Sequence, residues 1–170
     1  MFPNDVTLNK LTKRLSLEKI ENTRNVFHDL VSIIIEQQIH YRSTKKTFQK
    51  LIEKSGIEQL TIENFELFEK LSLRESKLSM KKYETLLSVY DFFKSQDTDW
   101  TACSDQQVKS ILTSLKGVSD WSAEMILIYT LDRSDIFPKK DYHINKILSD
   151  LYPNLSPITP SKVKLLSQAW

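Results

Sequence analysis

An all-α fold is predicted by three features of the sequence. Nearly every segment repeats its apolar residues at the helical period, no stretch sustains the alternation of a half-buried strand, and only two glycines interrupt 170 residues. With 40% apolar residues the chain fills a core, and its length suits one domain or two small lobes sharing that core.

The elements follow in order from their periodicity and punctuation. Helices are predicted over Thr7–Leu15, Val26–Gln38, Ser43–Ser55, Glu63–Lys70, Met80–Ser95, Asp105–Ser114, Trp121–Leu131, Tyr142–Leu151 and Pro160–Ala169. Gly56 ends one of them, Thr61 and Ser79 have the chemistry to cap others, and Thr159-Pro160 puts proline at a first helical position. Ser104-Asp105-Gln106-Gln107 has capping-box spacing ahead of the apolar run Val108, Ile111, Leu112 and Leu115. No repeat, low-complexity tract or domain-dividing linker is visible.

The turn Leu115-Lys116-Gly117-Val118-Ser119-Asp120 joins two of these helices so closely that backbone N–H groups in the turn and at the second helix's start should face outward, ready for an anion such as phosphate. A plain connector, with Gly117 supplying a left-handed position, is the competing reading.

Charge does not choose between them. The balance of 24 basic and 22 acidic residues leaves a net +2, so nucleic-acid affinity must come from local placement. Basic residues cluster at Arg42-Lys45-Lys46, Lys81-Lys82 and Lys139-Lys140, and each cluster equally fits a solvated face. Cys103 is the sole cysteine, which excludes an intramolecular disulfide, a zinc finger and a four-cysteine iron–sulfur site. His28, His40 and His143 lack metal-ligand spacing. The N-terminus has no signal-peptide pattern and no apolar stretch reaches membrane-spanning length. A cytoplasmic location, or a nuclear one in a eukaryote, is expected, without secretion or membrane association.

Four segments, in chain order, carry a resemblance. Ile33-Ile34-Ile35-Glu36-Gln37-Gln38-Ile39 matches an I-x-x-Q-Q-[IL]-S segment, with His40 in place of serine. Leu78-Ser79-Met80-Lys81-Lys82-Tyr83 matches G-L-S-x-x-K, with Lys77 in place of glycine. The hairpin of about residues 105–131 comes next, and Phe137-Pro138-Lys139-Lys140-Asp141 then opens a helix as F-P-x-x-D. Together they resemble the helix-hairpin-helix DNA glycosylase superfamily, in its DNA-3-methyladenine glycosylase II branch, over roughly residues 26–150.

The resemblance implies a single glycosylase domain over 1–170, two-lobed with a cleft between the lobes, a monomer acting on double-stranded DNA that contains alkylated purines. Chains of the branch continue past the position of Trp170 with one more apolar helix, which this sequence lacks. Asp141 stands where the family places the carboxylate that stabilises the cation-like sugar and activates water; by local pattern it is equally a helix N-cap. Trp121 occupies the position of the nucleophilic lysine of bifunctional relatives, so base removal without strand cleavage is implied, although Lys139 and Lys140 flank Asp141. With Met125, Trp121 would line the base pocket, where an indole face attracts a cationic purine by about 1–2 kcal/mol. By spacing alone the two side chains, with Ile128, fit a core stripe.

Gln38, with Gln37 beside it, matches the residue inserted into the base stack; exposed helix-end glutamines are the plainer alternative. Backbone N–H groups of Gly117, Ser119 and Ser122 would hold a phosphate, with Ser119 where glycine is usual. The carbonyls of Thr113, Leu115 and Val118 match those that hold a sodium or potassium ion in relatives, and no cofactor is required. The rival functions are a non-catalytic helix-hairpin-helix DNA-binding module and a bifunctional glycosylase/lyase for oxidised bases.

Overall fold

The order of burial along α2 (Val26–Glu36) organises most of the molecule. Asn25 caps this helix by accepting the His28 N–H at 2.9 Å. Its Val26, Phe27, Leu30, Val31, Ile34 and Ile35 are all buried. A helix apolar on so much of its circumference must be surrounded, and it packs against α3 (Lys46–Ser55), α5 (Met80–Ser95) and α7 (Asp120–Tyr129). The structure is a computed structural model and describes residues 5–15, 22–37 and 46–167. Every regular element among them is helical, as predicted.

The chain divides into two compact units, one of Asn22–Ile136 and the other of Met1–Glu21 with Phe137–Trp170. The first holds α2 to α7, including α4 (Phe65–Phe68) and α6 (Asp105–Ser114). Its core adds rings to the aliphatic side chains of α2. Phe65 stacks on Tyr90 with centroids 4.3 Å apart, Phe27 meets Phe65 edge-on at 5.7 Å, and Phe93 stacks on Trp100 at 5.5 Å. Each such buried side chain contributes roughly 1.5–3 kcal/mol relative to leaving it in water.

Helix boundaries differ from the sequence reading at several places; α1 spans Val6–Thr12 and not Thr7–Leu15, and the fourth predicted helix departs most. The predicted Glu63–Lys70 helix is α4 followed by a π-helical turn over Glu69–Leu73. The wider turn sets both Ser72 and Leu73 into the core, where the Ser72 hydroxyl donates to the Leu51 carbonyl at 2.8 Å. Thr61 caps nothing there; Asn64 holds the cap position, and its side chain accepts the Thr61 N–H at 2.8 Å. Ser79 does cap α5, and Gly56, at φ +69°, follows the end of α3.

The second unit contains α1 (Val6–Thr12), α8 (Tyr142–Leu151), a 3-10 turn over Pro153–Leu155 and α9 (Pro160–Ser167). Asp5 caps α1 through the Leu8 N–H at 3.0 Å and accepts the Tyr152 hydroxyl at 2.6 Å, tying the two ends of the chain together. Pro160 opens α9 as predicted. Among this unit's described residues the buried apolar side chains are Pro138, Leu148 and Val163. No helix among the described residues is long and apolar enough to cross a membrane.

Candidate functional site

The hairpin begins with the predicted capping box: Ser104 Oγ accepts the Gln107 N–H while the Gln107 side chain accepts the Ser104 N–H at 2.8 Å. α6 ends at Ser114, and the turn closes with the Leu115 carbonyl accepting the Val118 N–H at 3.1 Å. Gly117 lies at φ +89°, and a Cβ there would stand 2.4 Å from Oγ1 of Thr85 on α5. Glycine is therefore required twice, for its backbone angle and for the approach of a neighbouring helix. Lys109 of α6 and Glu124 of α7 pair at 2.8 Å and stitch the hairpin's arms.

Ser119 is the N-cap of α7, so that helix starts one residue before the predicted Trp121. Its Oγ accepts the Ser122 N–H at 3.3 Å and lies 3.1 Å from Ser122 Oγ. Of the three predicted phosphate donors, the Ser122 N–H is thus engaged inside the protein and its side chain is fully buried. The N–H groups of Gly117 and Ser119, both exposed in the turn, meet no backbone acceptor among the described residues.

α2 pins α7 at both ends. At its start Gln37 Nε2 donates to Ser122 Oγ at 2.9 Å; at its end the Thr130 hydroxyl donates to Asp29 at 2.7 Å and Asn22 donates to the Thr130 carbonyl at 3.1 Å. The two helices run antiparallel as a result. Gln38 lies outside the described residues, as do His40, Arg42 and Lys45.

Trp121, Met125 and Ile128 are half-buried. The side chains that α7 gives to the core cluster among the described residues are Ala123, Ile126 and Leu127. The tryptophan stripe is therefore not the stripe that fills the core of this unit.

In the other unit, Asp141 N-caps α8, its Oδ1 accepting the Ile144 N–H at 2.8 Å. The loop before it is braced twice: the Asp141 N–H donates to the Pro138 carbonyl at 2.9 Å, and Asn145 Nδ2 donates to the Lys139 carbonyl at 3.0 Å. Asn145, one turn into α8, was not singled out by sequence reasoning; an asparagine on a polar helix face carries no signal until the loop folds back on it. Lys139, Lys140 and Tyr142 are exposed around the aspartate.

No protein-family model matches the sequence. Over 164 residues, 91% of this chain and 67% of the other, it is 26% identical to DNA-3-methyladenine glycosylase 1 of Schizosaccharomyces pombe. Over 158 residues, 84% of this chain and 53% of the other, it is 30% identical to the DNA-3-methyladenine glycosylase of Saccharomyces cerevisiae. The solved structure of the S. pombe 3-methyladenine DNA glycosylase in complex with abasic DNA superposes with a TM-score of 0.80 at 22% identity, covering 99% of this chain and 85% of that one.

The fold is that of a DNA glycosylase.

This chain thus spans about half the length of the budding-yeast relative and two thirds of the fission-yeast one. Against that fold, the structure brings Gly117, Ser119, Ser122 and Gln37 together around the hairpin turn, within one unit, and sets Asp141 on a braced loop in the other. Lys82, which holds the Gln37 carbonyl, and Thr85, which stands over Gly117, escaped the sequence reading as partners of these residues. The pairing of Leu78–Lys82 with the motif set was the one signal that pointed at any of them.

Proposed function

We propose that the chain is a monofunctional DNA glycosylase of the helix-hairpin-helix superfamily, in the 3-methyladenine glycosylase II branch, that hydrolyses the N-glycosidic bond of alkylated purines in double-stranded DNA. In this reading residues 1–170 form one glycosylase domain, working as a monomer in the cytoplasm or nucleus. The observation that carries the reading is an aspartate at the mouth of α8 on a loop whose carbonyls are tied down, in a chain similar to two DNA-3-methyladenine glycosylases.

The chemistry follows from the leaving group. Alkylation at a ring nitrogen makes the purine cationic, so it departs as a neutral base when the C–N bond breaks and leaves positive charge on the sugar. Asp141 offsets that charge and accepts the proton of the water that attacks the anomeric carbon. The N-cap bond through Oδ1 and the braces on the preceding loop hold the carboxylate's orientation. Capping and catalysis are compatible because a carboxylate has two oxygens and about four acceptor sites.

Trp121 and Met125 line the base pocket, where stacking on the indole favours a flat cation. The placement of Trp121 outside the core stripe supports this over a packing role. A tryptophan there supplies no amine, so no imine forms on the DNA. The N–H groups of Gly117 and Ser119 hold a backbone phosphate, with Ser122 shaping the turn from below. Gln38 enters the gap left by the extruded base, and Gln37 stands behind it.

The reaction needs no cofactor. A sodium or potassium ion would suit the carbonyls of Thr113, Leu115 and Val118. The first belongs to the last turn of α6, where carbonyls lose intrahelical partners, and Leu115's keeps a second lone pair beside its bond from Val118. There the ion would brace the turn.

The test is release of bases from methylated duplex DNA by the wild type and by Asp141→Asn, with borohydride present in a parallel reaction. Release of 3-methyladenine by the wild type alone and no trapped adduct is the expected result. A binding module would release nothing from either protein, and a lyase would leave an adduct that disappears in Lys139→Ala or Lys140→Ala.

A further inference from the structure

Lys82, in the first turn of α5, donates from Nζ to the Ile35 carbonyl at 2.8 Å and to the Gln37 carbonyl at 2.5 Å. The first belongs to the last turn of α2, where carbonyls have no partner inside the helix, the second to its C-cap, and an ammonium is the favoured group at that end of the dipole. Burial pushes the Lys82 ammonium's pKa down, while the Glu36 charge pulls it back up. A lysine held partly out of water to bind two carbonyls is not a solvated surface charge.

The C-cap of α2 is tied a second way. Gln37 Nε2 donates to Ser122 Oγ, which in turn lies 3.1 Å from the hydroxyl of Ser119, the cap of α7. One turn further along α5, Thr85 fills the space over Gly117. The opening turns of α5 therefore touch both the end of α2 and the hairpin turn. Where the chain leaves α2 is set, through Lys82 and Ser122, relative to the backbone groups proposed to grip the phosphate.

We infer that Lys82 is a positioning residue for base extrusion: by holding the carbonyls of Ile35 and Gln37 it fixes the point where the chain leaves α2 relative to the proposed phosphate grip. This rests on the glycosylase reading above. The ammonium of Lys82 is engaged by two protein carbonyls, so in this proposal it acts on the step that takes the base out of the duplex and not on bond cleavage. Extrusion is costly for a paired base and cheap for one whose partner is missing. A loss confined to paired substrate separates this role from a merely structural one.

The experiment is single-turnover release of the same alkylated purine from two duplexes, one with the normal pairing partner and one with an abasic site opposite the lesion, by wild type and Lys82→Met. The expected result is a loss of about tenfold or more on the paired duplex, the scale of a lost charged hydrogen bond, with release from the unpaired one within about twofold of wild type. Lys82→Arg, which keeps the charge and two donors, restores part of the loss. Lys82→Gln, which keeps a polar donor on a shorter side chain, gives the same comparison of the two duplexes if Lys82→Met does not fold, with the loss again expected on the paired one alone. An equal loss on both duplexes, or none on either, overturns the role of Lys82. Failure of the wild type to release either base sinks the glycosylase reading itself, and this inference with it.

Discussion

The unit of Asn22–Ile136 and the unit built from the two chain ends differ in how they are held together. The first buries a continuous set of aliphatic and aromatic side chains from six helices. Among its described residues the second buries Pro138, Leu148 and Val163, and relies on caps and polar ties such as Tyr152 to Asp5 and Lys162 to the carbonyls of Leu155 and Pro157. The proposed grip and wedge support sit on the first, and the proposed catalytic carboxylate on the second. In that reading rigidity and chemistry are separated: the backbone proposed to contact DNA is backed by a dense core, and the carboxylate proposed to react is oriented by short-range hydrogen bonds.

The largest effect should come from the core. Phe68→Ala, at a fully buried ring, should cost about 3–5 kcal/mol in urea unfolding and remove DNA binding and base release together. Leu148→Ala should cost about 2 kcal/mol, the low end for such a truncation, because a thin core collapses around the gap more easily. Equal losses in the two would erase the contrast between the units.

Substitution of Asp141 separates chemistry from capping. Asp141→Asn should lower the single-turnover rate by at least roughly two orders of magnitude and leave the melting temperature unchanged, since asparagine caps as well as aspartate. Asp141→Ala should lose the same rate and in addition about 1 kcal/mol of stability. An active Asn variant would return the residue to a capping role alone.

Gly117→Ala probes the grip. The left-handed angle and the contact with Thr85 together should cost about 1–3 kcal/mol and weaken binding to damaged and undamaged duplex alike, measured by fluorescence anisotropy, because backbone contacts read no bases. Adding Thr85→Ala should recover the contact part and leave the backbone part. Trp121→Ala, by contrast, should spare undamaged DNA and slow release of cationic purines more than of hypoxanthine, by a cation–π share of about 1–2 kcal/mol. Identical profiles for the two sites would make Trp121 a packing residue.

The smallest effect concerns Glu69, whose carboxyl is held below the ordinary range first by the Tyr83 hydroxyl and then by Arg74. A carboxylate with a depressed folded pKa contributes stability that is complete above its unfolded pKa, roughly 4.3, and is lost as pH falls through the folded value. Tyr83→Phe should therefore lower the urea midpoint slightly at neutral pH, and the difference from wild type should shrink in acid. A gap that stays the same in acid would mean the tyrosine acts through packing.

Much of this was legible in the chain before any folding was considered. Periodicity, two glycines and the capping residues Ser79, Ser104, Asp141 and Thr159 carry helix positions, because they act within a turn or two of themselves. The π-helical turn at Glu69–Leu73 was not legible, since it answers to the Leu51 carbonyl far along the chain. Nor was the displaced cap at Asn64.

The site divides in the same way. The residue types at 117, 121 and 141, and their order, are properties of the sequence, and so is the hairpin that presents the first two. Which stripe of α7 fills the core, that Thr85 closes over Gly117 and that Lys82 holds the end of α2 were decided by tertiary structure alone. Each depends on a partner brought close by packing, and local patterns along the chain hold no record of such a partner.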